Sequence, residues 1–314
     1  NWSLGDYFKR EAISWSFEFL TSSEWLAIDP KRIYVTVFEG DADAPRDTES
    51  IDIWQAQFEM KGVAAETGVA LQDEPARAGG PRIYAYPKKK NGWGPAGQTG
   101  PCGPDTEIFY DMGTPHDPAF GEVCHPNCDC GRFVEIWNNV FMQYEKRADG
   151  TFAPLAQQNV DTGMGLERMA AILQKKTTVF ETDAFSRIIA KIEELSGTTY
   201  LPEDMQAARP FRIVADHLRA ATFIVGDPRG VAPSNVGQGY IVRRLLRRAI
   251  REGKRLGIQS AFLPTIAQTI IDEYAYDYPE LQQNQERILS ELGREEEKFG
   301  KTLEKGLREL EKML

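Results

Sequence analysis

Three stretches of the chain carry polar residues in patterns that could do chemistry. The run Val160-Asp161-Thr162-Gly163-Met164-Gly165-Leu166-Glu167-Arg168 sets two glycines ahead of a helical pattern. Glycine lets backbone approach a ligand closely, and a helix start favours anionic groups. Arg168, in the first turn, has the forked guanidinium that suits a phosphate. Asp161 stands just before the glycines, where a carboxylate could hold an ammonium group. On spacing alone, a glycine-rich turn with a surface arginine reads the same way. In the run E-I-W-N-N-V-F-M-Q, residues 135–143, strand alternation puts Asn138 and Val140 on one face and Trp137, Asn139 and Phe141 on the other. An amide beside a small apolar side chain suits a small ligand with one polar end; an asparagine that satisfies a neighbouring loop is the alternative. The third run, T-G-P-C-G-P-D-T-E at 99–107, alternates Gly and Pro and predicts a rigid loop. Trp93 could wall a pocket beside it, and Asp105 and Glu107 could serve a metal-bound phosphate or stand as solvated acids.

The elements that must position these residues fall into two regions. Apolar spacing predicts a helix within 6–26, with Asp6 as its N-cap. Alternation predicts strands at 32–39 and 133–144, with a hairpin turn at Ala148-Asp149-Gly150. The run from Lys88 to Pro95 reads as an exposed loop. Beyond a boundary near 178–182 the pattern is helical, with helices expected at 182–196, 210–225, 238–256, 261–274 and 280–313. The last carries Leu281, Ile288, Leu292, Phe299, Leu303, Leu307 and Leu310 as a stripe that needs a partner.

The chain has 314 residues, 41% hydrophobic and 27% charged, enough to bury the cores of about two domains. No apolar run approaches the roughly 18–20 residues of a membrane span, and no leader pattern is visible, so a cytoplasmic protein with no membrane partner is expected. The start at Asn1 and the unfinished stripe at Leu314 suggest a fragment. A net charge of −10 argues against a nucleic-acid partner, yet residues 211–256 hold ten basic against three acidic residues. Within them Arg243, Arg244, Arg247, Arg248, Arg251 and Arg255 recur at spacings of three and four, a positive stripe that suits RNA phosphates or a solvated face. Cys102, Cys124, Cys128 and Cys130 could close a tetrahedral zinc site or remain free thiols, with a disulfide third. His116, His125 and His217 are read as structural.

Taken together and in order, seven stretches resemble the alanyl-tRNA synthetases, a class II aminoacyl-tRNA synthetase family: N-W-S-L-G-D-Y-F-K-R-E-A-I (1–13), Y-V-T-V-F-E (34–39), T-G-P-C-G-P-D-T-E-I-F-Y-D (99–111), E-I-W-N-N-V-F-M-Q (135–143), V-D-T-G-M-G-L-E-R-M-A (160–170), A-D-H-L-R-A (215–220) and P-S-N-V-G-Q-G-Y-I-V-R-R-L-L-R-R-A-I-R (233–251). Residues 40–98 and 112–131 fit only loosely.

The resemblance implies an α+β fold: an antiparallel sheet flanked by helices over 1–180, the aminoacylation domain, and a helical tRNA-recognition domain over 181–314. It implies alanine–tRNA ligase activity with ATP and Mg²⁺; a non-catalytic module that binds the tRNA acceptor stem is the alternative. By position, Arg168 would clamp ATP phosphates, Asp161 would bind the α-ammonium of alanine, and Trp2 would stack adenine. Asn138, Val140, Gly163 and Trp93 would line the alanine site. Asn235, with Arg243, Arg244, Arg247, Arg248 and Arg251, would meet the acceptor stem of tRNA(Ala). The family's motif 1, the first half of motif 2 with its ATP-binding arginine, and the editing region would lie outside the chain and pack against it. The family does not generally require zinc near Cys124–Cys130. Activity of the isolated chain is therefore a separate expectation from that of its parent.

Overall fold

The protein is described by a computed structural model over residues 1–68 and 81–313. It divides into two compact units, Asn1–Lys175 and Lys176–Leu314.

The first unit is built on a mixed sheet. Its strands are β1 (Ile33–Phe38), β2 (Thr67–Gly68), β3 (Ile83–Tyr86), β4 (Gly92–Trp93), β5 (Gly100–Asp111), β6 (Phe133–Lys146) and β7 (Phe152–Met164). The order is β2-β3-β1-β5-β6-β7, with β4 beside β5. The β1–β5–β6–β7 part is antiparallel as expected; β3 joins β1, and β2 joins β3, in parallel. The expected strands are present, and the hairpin turn closes with Gly150 donating to the Arg147 carbonyl (3.0 Å).

One sheet face is covered by α1 (Lys9–Thr21) and α2 (Thr48–Met60), where Ile13, Phe17, Trp54, Phe58 and Phe141 are buried in one cluster. Helix α1 starts later than Asp6. Phe8 occupies the cap, and Glu11 reaches back to its N–H (3.3 Å). The buried Lys9 ammonium pairs at 2.6 Å with Asp47, which caps α2 through Ser50. On the same face Trp137 Nε1 donates to Thr162 Oγ1 (2.7 Å), whose hydroxyl donates to Asn139 (2.6 Å), tying β6 to β7.

Two expected loops are ordered differently. Within residues 88–95, residues 88–93 form the short α3 (Lys88–Asn91) and β4. The cause is Asn91, fully buried, which donates to Thr36 Oγ1 (2.7 Å) and Asp105 Oδ1 (2.9 Å). The Gly-Pro run is the first half of β5. Its register against β6 slips between Cys102 and Asp105, and there a Cβ on Gly103 would lie 1.8 Å from the Phe141 carbonyl oxygen. The bulge accommodates prolines that cannot donate to a regular ladder. Met164 ends β7, and α4 (Leu166–Leu173) follows with Gly165 at its cap.

The second unit is helical: α5 (Asp183–Ser196), α6 (Met205–Gly226), α7 (Gly237–Arg255), α8 (Leu263–Tyr274), α9 (Pro279–Gln283) and α10 (Gln285–Met313). Its core gathers Phe211, Leu218, Leu246, Phe262, Ile266, Leu281, Ile288 and Leu292. Helix α6 begins five residues before Pro210, because Asp204 caps it by accepting from Gln206 and Ala207. The expected helix 280–313 breaks at Asn284, whose amide donates to the Gly226 carbonyl (3.0 Å). The side chains of Leu307 and Leu310 lie outside the described residues. Among the described residues no helix is long and apolar enough to cross a membrane.

Candidate functional site

The register brings the sequence candidates of the first unit onto one sheet face. Residues directly opposite on antiparallel strands point the same way. Asn138 faces Glu107 on one side and Gly163 on the other; Val140 faces Asp105 and Asp161. Thr36 of β1 joins the first row, its hydroxyl 3.4 Å from the Glu107 carboxylate. Asn1 to Ser3 run along the outer edge of β7. Asn1 and Thr162 exchange backbone hydrogen bonds of 2.6 and 2.8 Å, and Trp2 lies opposite Asp161. Trp2 is therefore on the face of Asp161, half exposed.

Glu135 joins this face through an irregularity. It stands three residues before Asn138, so strict alternation would send it to the α1 side. The register shift between Ile108 and Phe109 leaves Ile136 without a partner across β5, and the bulge re-aims the strand. Glu135 Oε2 then accepts from Arg168 Nη1 at 2.9 Å. Gly165, which bonds the Ile136 carbonyl (3.0 Å), lets this arginine fold back, since a Cβ there would come within 2.8 Å of Arg168 Nε.

The electrostatics of the face are acidic. Burial first, then the charge of Glu135, pushes Glu107 up to about 7, against the Thr36 hydrogen bond and the charges of Lys90 and Arg168. Burial and the charge of Glu107 hold the Asp105 carboxyl well above the usual range, opposed by the Asn91 hydrogen bond. Crowded carboxylates with raised proton affinity are a donor set for a divalent cation. The buried Oδ1 of Asn138 has no hydrogen-bond partner among the described residues, and a Cβ on Gly163 opposite would meet nothing within 4 Å. The face thus offers an unused acceptor beside a carboxylate and open space. Trp93 lies beside Gly103 and lines a separate small cavity with Phe38, Asn91, Cys102 and Tyr144, whose lining includes neither Asn138 nor Asp161.

The arginine stripe of α7 divides in two. Arg243 is buried, donates to Asn235 and to the Pro233 carbonyl (3.3 Å), and pairs with Glu295 of α10 at 3.2 Å. Arg247 shares that carboxylate at 2.8 Å. Arg251 and Arg255 both hold the buried Glu252, at 2.8 and 3.0 Å. Arg244 and Arg248 are exposed. Asn235, Tyr240, Arg244, Arg248 and Phe299 help line a groove of about 320 Å³. Spacing alone counted all six arginines as one surface; the buried glutamates make four of them structural as well.

The cysteines also divide. Cys102 lies in β5 beside Tyr144, away from the others. His116 takes the expected fourth place: its ring nitrogen and the sulfurs of Cys124, Cys128 and Cys130 all lie within 4.8 Å of one another. Among the residues that pattern reading missed, Glu135 needed the bulge, Glu295 the partner of α7, and His116 the path of the chain between β5 and β6.

Comparison with known proteins shows the family. Residues 1–314 match the family described as tRNA synthetases class II (A). The alanine–tRNA ligase of Treponema pallidum (strain Nichols) is 49% identical over 316 residues, covering all of this chain and 48% of that protein. That of Treponema denticola is 52% identical over 290 residues, 92% of this chain and 44% of that protein. The Anaeromyxobacter sp. (strain Fw109-5) ligase is 44% identical over 99% of this chain and 32% of its own length. The chain spans about half the length of the first two relatives. It belongs to the alanine–tRNA ligase family of class II tRNA synthetases and corresponds to the catalytic-domain region.

Proposed function

We propose that this chain carries the alanine-activating site of an alanine–tRNA ligase acting in protein synthesis, with its helical unit turned to the acceptor stem of tRNA(Ala). The observation that carries the reading is the buried, unpartnered Asn138 oxygen in register with Gly163 and next to the Val140–Asp161 pair. A small amino acid fits there. Asp161 and the Asn138 oxygen receive its ammonium, Val140 meets its methyl group, and the open space over Gly163 takes its backbone. Trp2 stacks the adenine of ATP. Arg168, oriented by Glu135, binds phosphate.

The reaction needs positioning and charge neutralisation rather than a protein nucleophile. An alanine carboxylate oxygen attacks the α-phosphorus, the bond from that phosphorus to the bridging oxygen breaks, and pyrophosphate leaves with the electron pair. A terminal ribose hydroxyl of the tRNA then attacks the alanyl carbonyl and AMP departs. Glu107 and Glu135 fit a Mg²⁺ site, which would supply positive charge to the phosphates. Trp93 lines the separate cavity beside Cys102 and Tyr144 and is given no part in the alanine site; the regions of the parent ligase outside this chain complete that site. A methyl-sized pocket discriminates against glycine by only about 10–200-fold, so glycine and serine are the informative controls.

The test is alanine-dependent ATP–pyrophosphate exchange. Exchange with alanine, weaker with glycine and serine, supports the reading. No exchange by this chain or by a chain extended at its N-terminus sinks it. The arginine-lined groove favours a second reading, a module that only binds the acceptor stem. Retained binding of a tRNA(Ala) acceptor minihelix with no exchange in either chain would select it.

A further inference from the structure

The connection between β5 and β6 is unusually long for neighbouring antiparallel strands. It runs twenty-one residues, from Met112 to Arg132, and contains only a short turn of helix at Pro118–Phe120. Loops of that length inside a compact unit need something to hold them. Its ends are closed by the ladder pair Asp111–Phe133 and by a forked ion pair in which Arg132 Nε and Nη2 each lie 3.0 Å from Asp111. Between these ends there is little apolar mass: Phe120 is more than half exposed. Cys124 and Cys128 are buried instead, against Tyr34, Tyr84, Tyr86 and Phe133.

We propose that His116, Cys124, Cys128 and Cys130 bind one structural zinc ion that fastens this connection to the sheet. For a tetrahedral site with Zn–S of about 2.3 Å and Zn–N of about 2.0–2.1 Å, two sulfurs stand about 3.8 Å apart and a sulfur and a nitrogen about 3.5 Å. Cys124 Sγ and Cys130 Sγ are 3.7 Å apart, and Cys128 Sγ is 3.8 Å from His116 Nδ1. The histidine is already set for the task. Its Nε2 donates to the Gly121 carbonyl at 2.8 Å, which places the proton on that nitrogen and leaves the Nδ1 lone pair facing the sulfurs. Ligating histidines are commonly oriented by such a bond to a backbone carbonyl. Three thiolates and one imidazole select zinc over the hard cations, and four protein ligands leave no open position, so the site is structural. Cys102, in β5, takes no part. The inference does not depend on the ligase reading, since an inactive chain would still hold the metal.

The test is the metal content of the purified protein, measured for zinc, iron and copper, with thiol titration and replacement by Co²⁺. One zinc per chain, three thiols released on chelation, and a thiolate-to-cobalt charge-transfer band with tetrahedral ligand-field absorption are expected. Cys102→Ser should keep the zinc; Cys128→Ser and His116→Gln should make it substoichiometric. The wild-type cobalt spectrum stands even if a ligand variant fails to fold. A metal-free protein with freely titrating thiols, a Cys124–Cys130 disulfide, iron in place of zinc, or loss of zinc in Cys102→Ser would each overturn the proposal.

Discussion

The charged face of β5–β7 and the arginine face of α7 are assembled by opposite means. On the strands, backbone ladders satisfy the main chain, and alternation alone decides which side chains are presented. Asp161, Asn138 and Glu107 need no partner to be held in rows. On α7, arginines three and four apart point both outward and toward the neighbouring helix, and those turned inward need buried acids. Glu295 of α10 answers the inward Arg243 and Arg247, whereas Arg251 and Arg255 are exposed and hold Glu252, a buried acid of α7 itself. The same residue type thus serves stability on one side of a helix and stands free for the proposed ligand contact on the other, whereas the sheet separates its buried core from its polar candidates by face.

The sharpest way to break this comparison is to remove the acid. Breaking a buried ion pair from one side costs about 3–5 kcal/mol because a charge is left uncompensated. Glu295→Ala should lose stability of that order in urea unfolding, and Arg244→Ala should stay within about 0.5 kcal/mol. Equal losses would erase the division of α7. On the sheet the expected pattern is reversed. Asp161→Asn should unfold like wild type yet weaken alanine binding by about 1.5–3 kcal/mol, the scale of a hydrogen bond to a charged group. Gly163→Ala should also fold normally, since its Cβ meets nothing within 4 Å. Calorimetric titration with alanine and ATP would show whether that methyl group occupies the substrate's space.

Much of the sheet face was legible because alternation is a strong local signal. Asn138 and Val140 against Trp137, Asn139 and Phe141 followed from period two alone, and the strands at 32–39 and 133–144 followed from β-branching. Glu135 was not legible: a bulge is decided by the partner strand, which a single segment does not contain. Asn91 was hidden in a lysine-rich run because its value lies in two distant acceptors, Thr36 and Asp105. Arg168 and Asp161 came from a motif of fixed spacing, but Gly163 sits within β7 and not in a turn. In the helical unit, periodicity located every long helix. It missed the breaks and starts set by the polar side chains of Asn284 and Asp204. His116 escaped for the same reason as Glu135, since only the folded connection brings it to the cysteines.

A smaller effect sharpens the acidic side of the comparison. With Glu107 at about 7 against an ordinary 4.5, the folded, metal-free protein binds its proton more tightly than the unfolded chain. That stabilisation is complete below pH 4.5 and is lost as pH rises through about 7. Urea stability of the metal-free chain should therefore fall across this window, by on the order of 1 kcal/mol after allowance for partial solvation. Glu107→Gln should flatten the profile. Mg²⁺ affinity should run the other way, rising with pH through 7 as the carboxylate ionises. A wild-type profile that matches Glu107→Gln would remove Glu107 from the proposed cation site.

The finest test concerns which arginines are free to meet RNA. Each phosphate contact that is lost weakens binding nearly uniformly across sequences and lowers the slope of log affinity against log salt by about 1. Arg244→Ala and Arg248→Ala, at exposed positions, should each do so in titrations with an acceptor-stem minihelix. Arg243→Lys should behave differently. Lysine carries no fork, so Asn235 would lose the donor that holds it while the net charge stays the same. The expected outcome is an unchanged salt slope with reduced discrimination between minihelices that differ at one acceptor-stem base pair. If Arg243→Lys lowers the slope as Arg244→Ala does, Arg243 contacts phosphate itself, and its pairing with Glu295 opens when RNA binds.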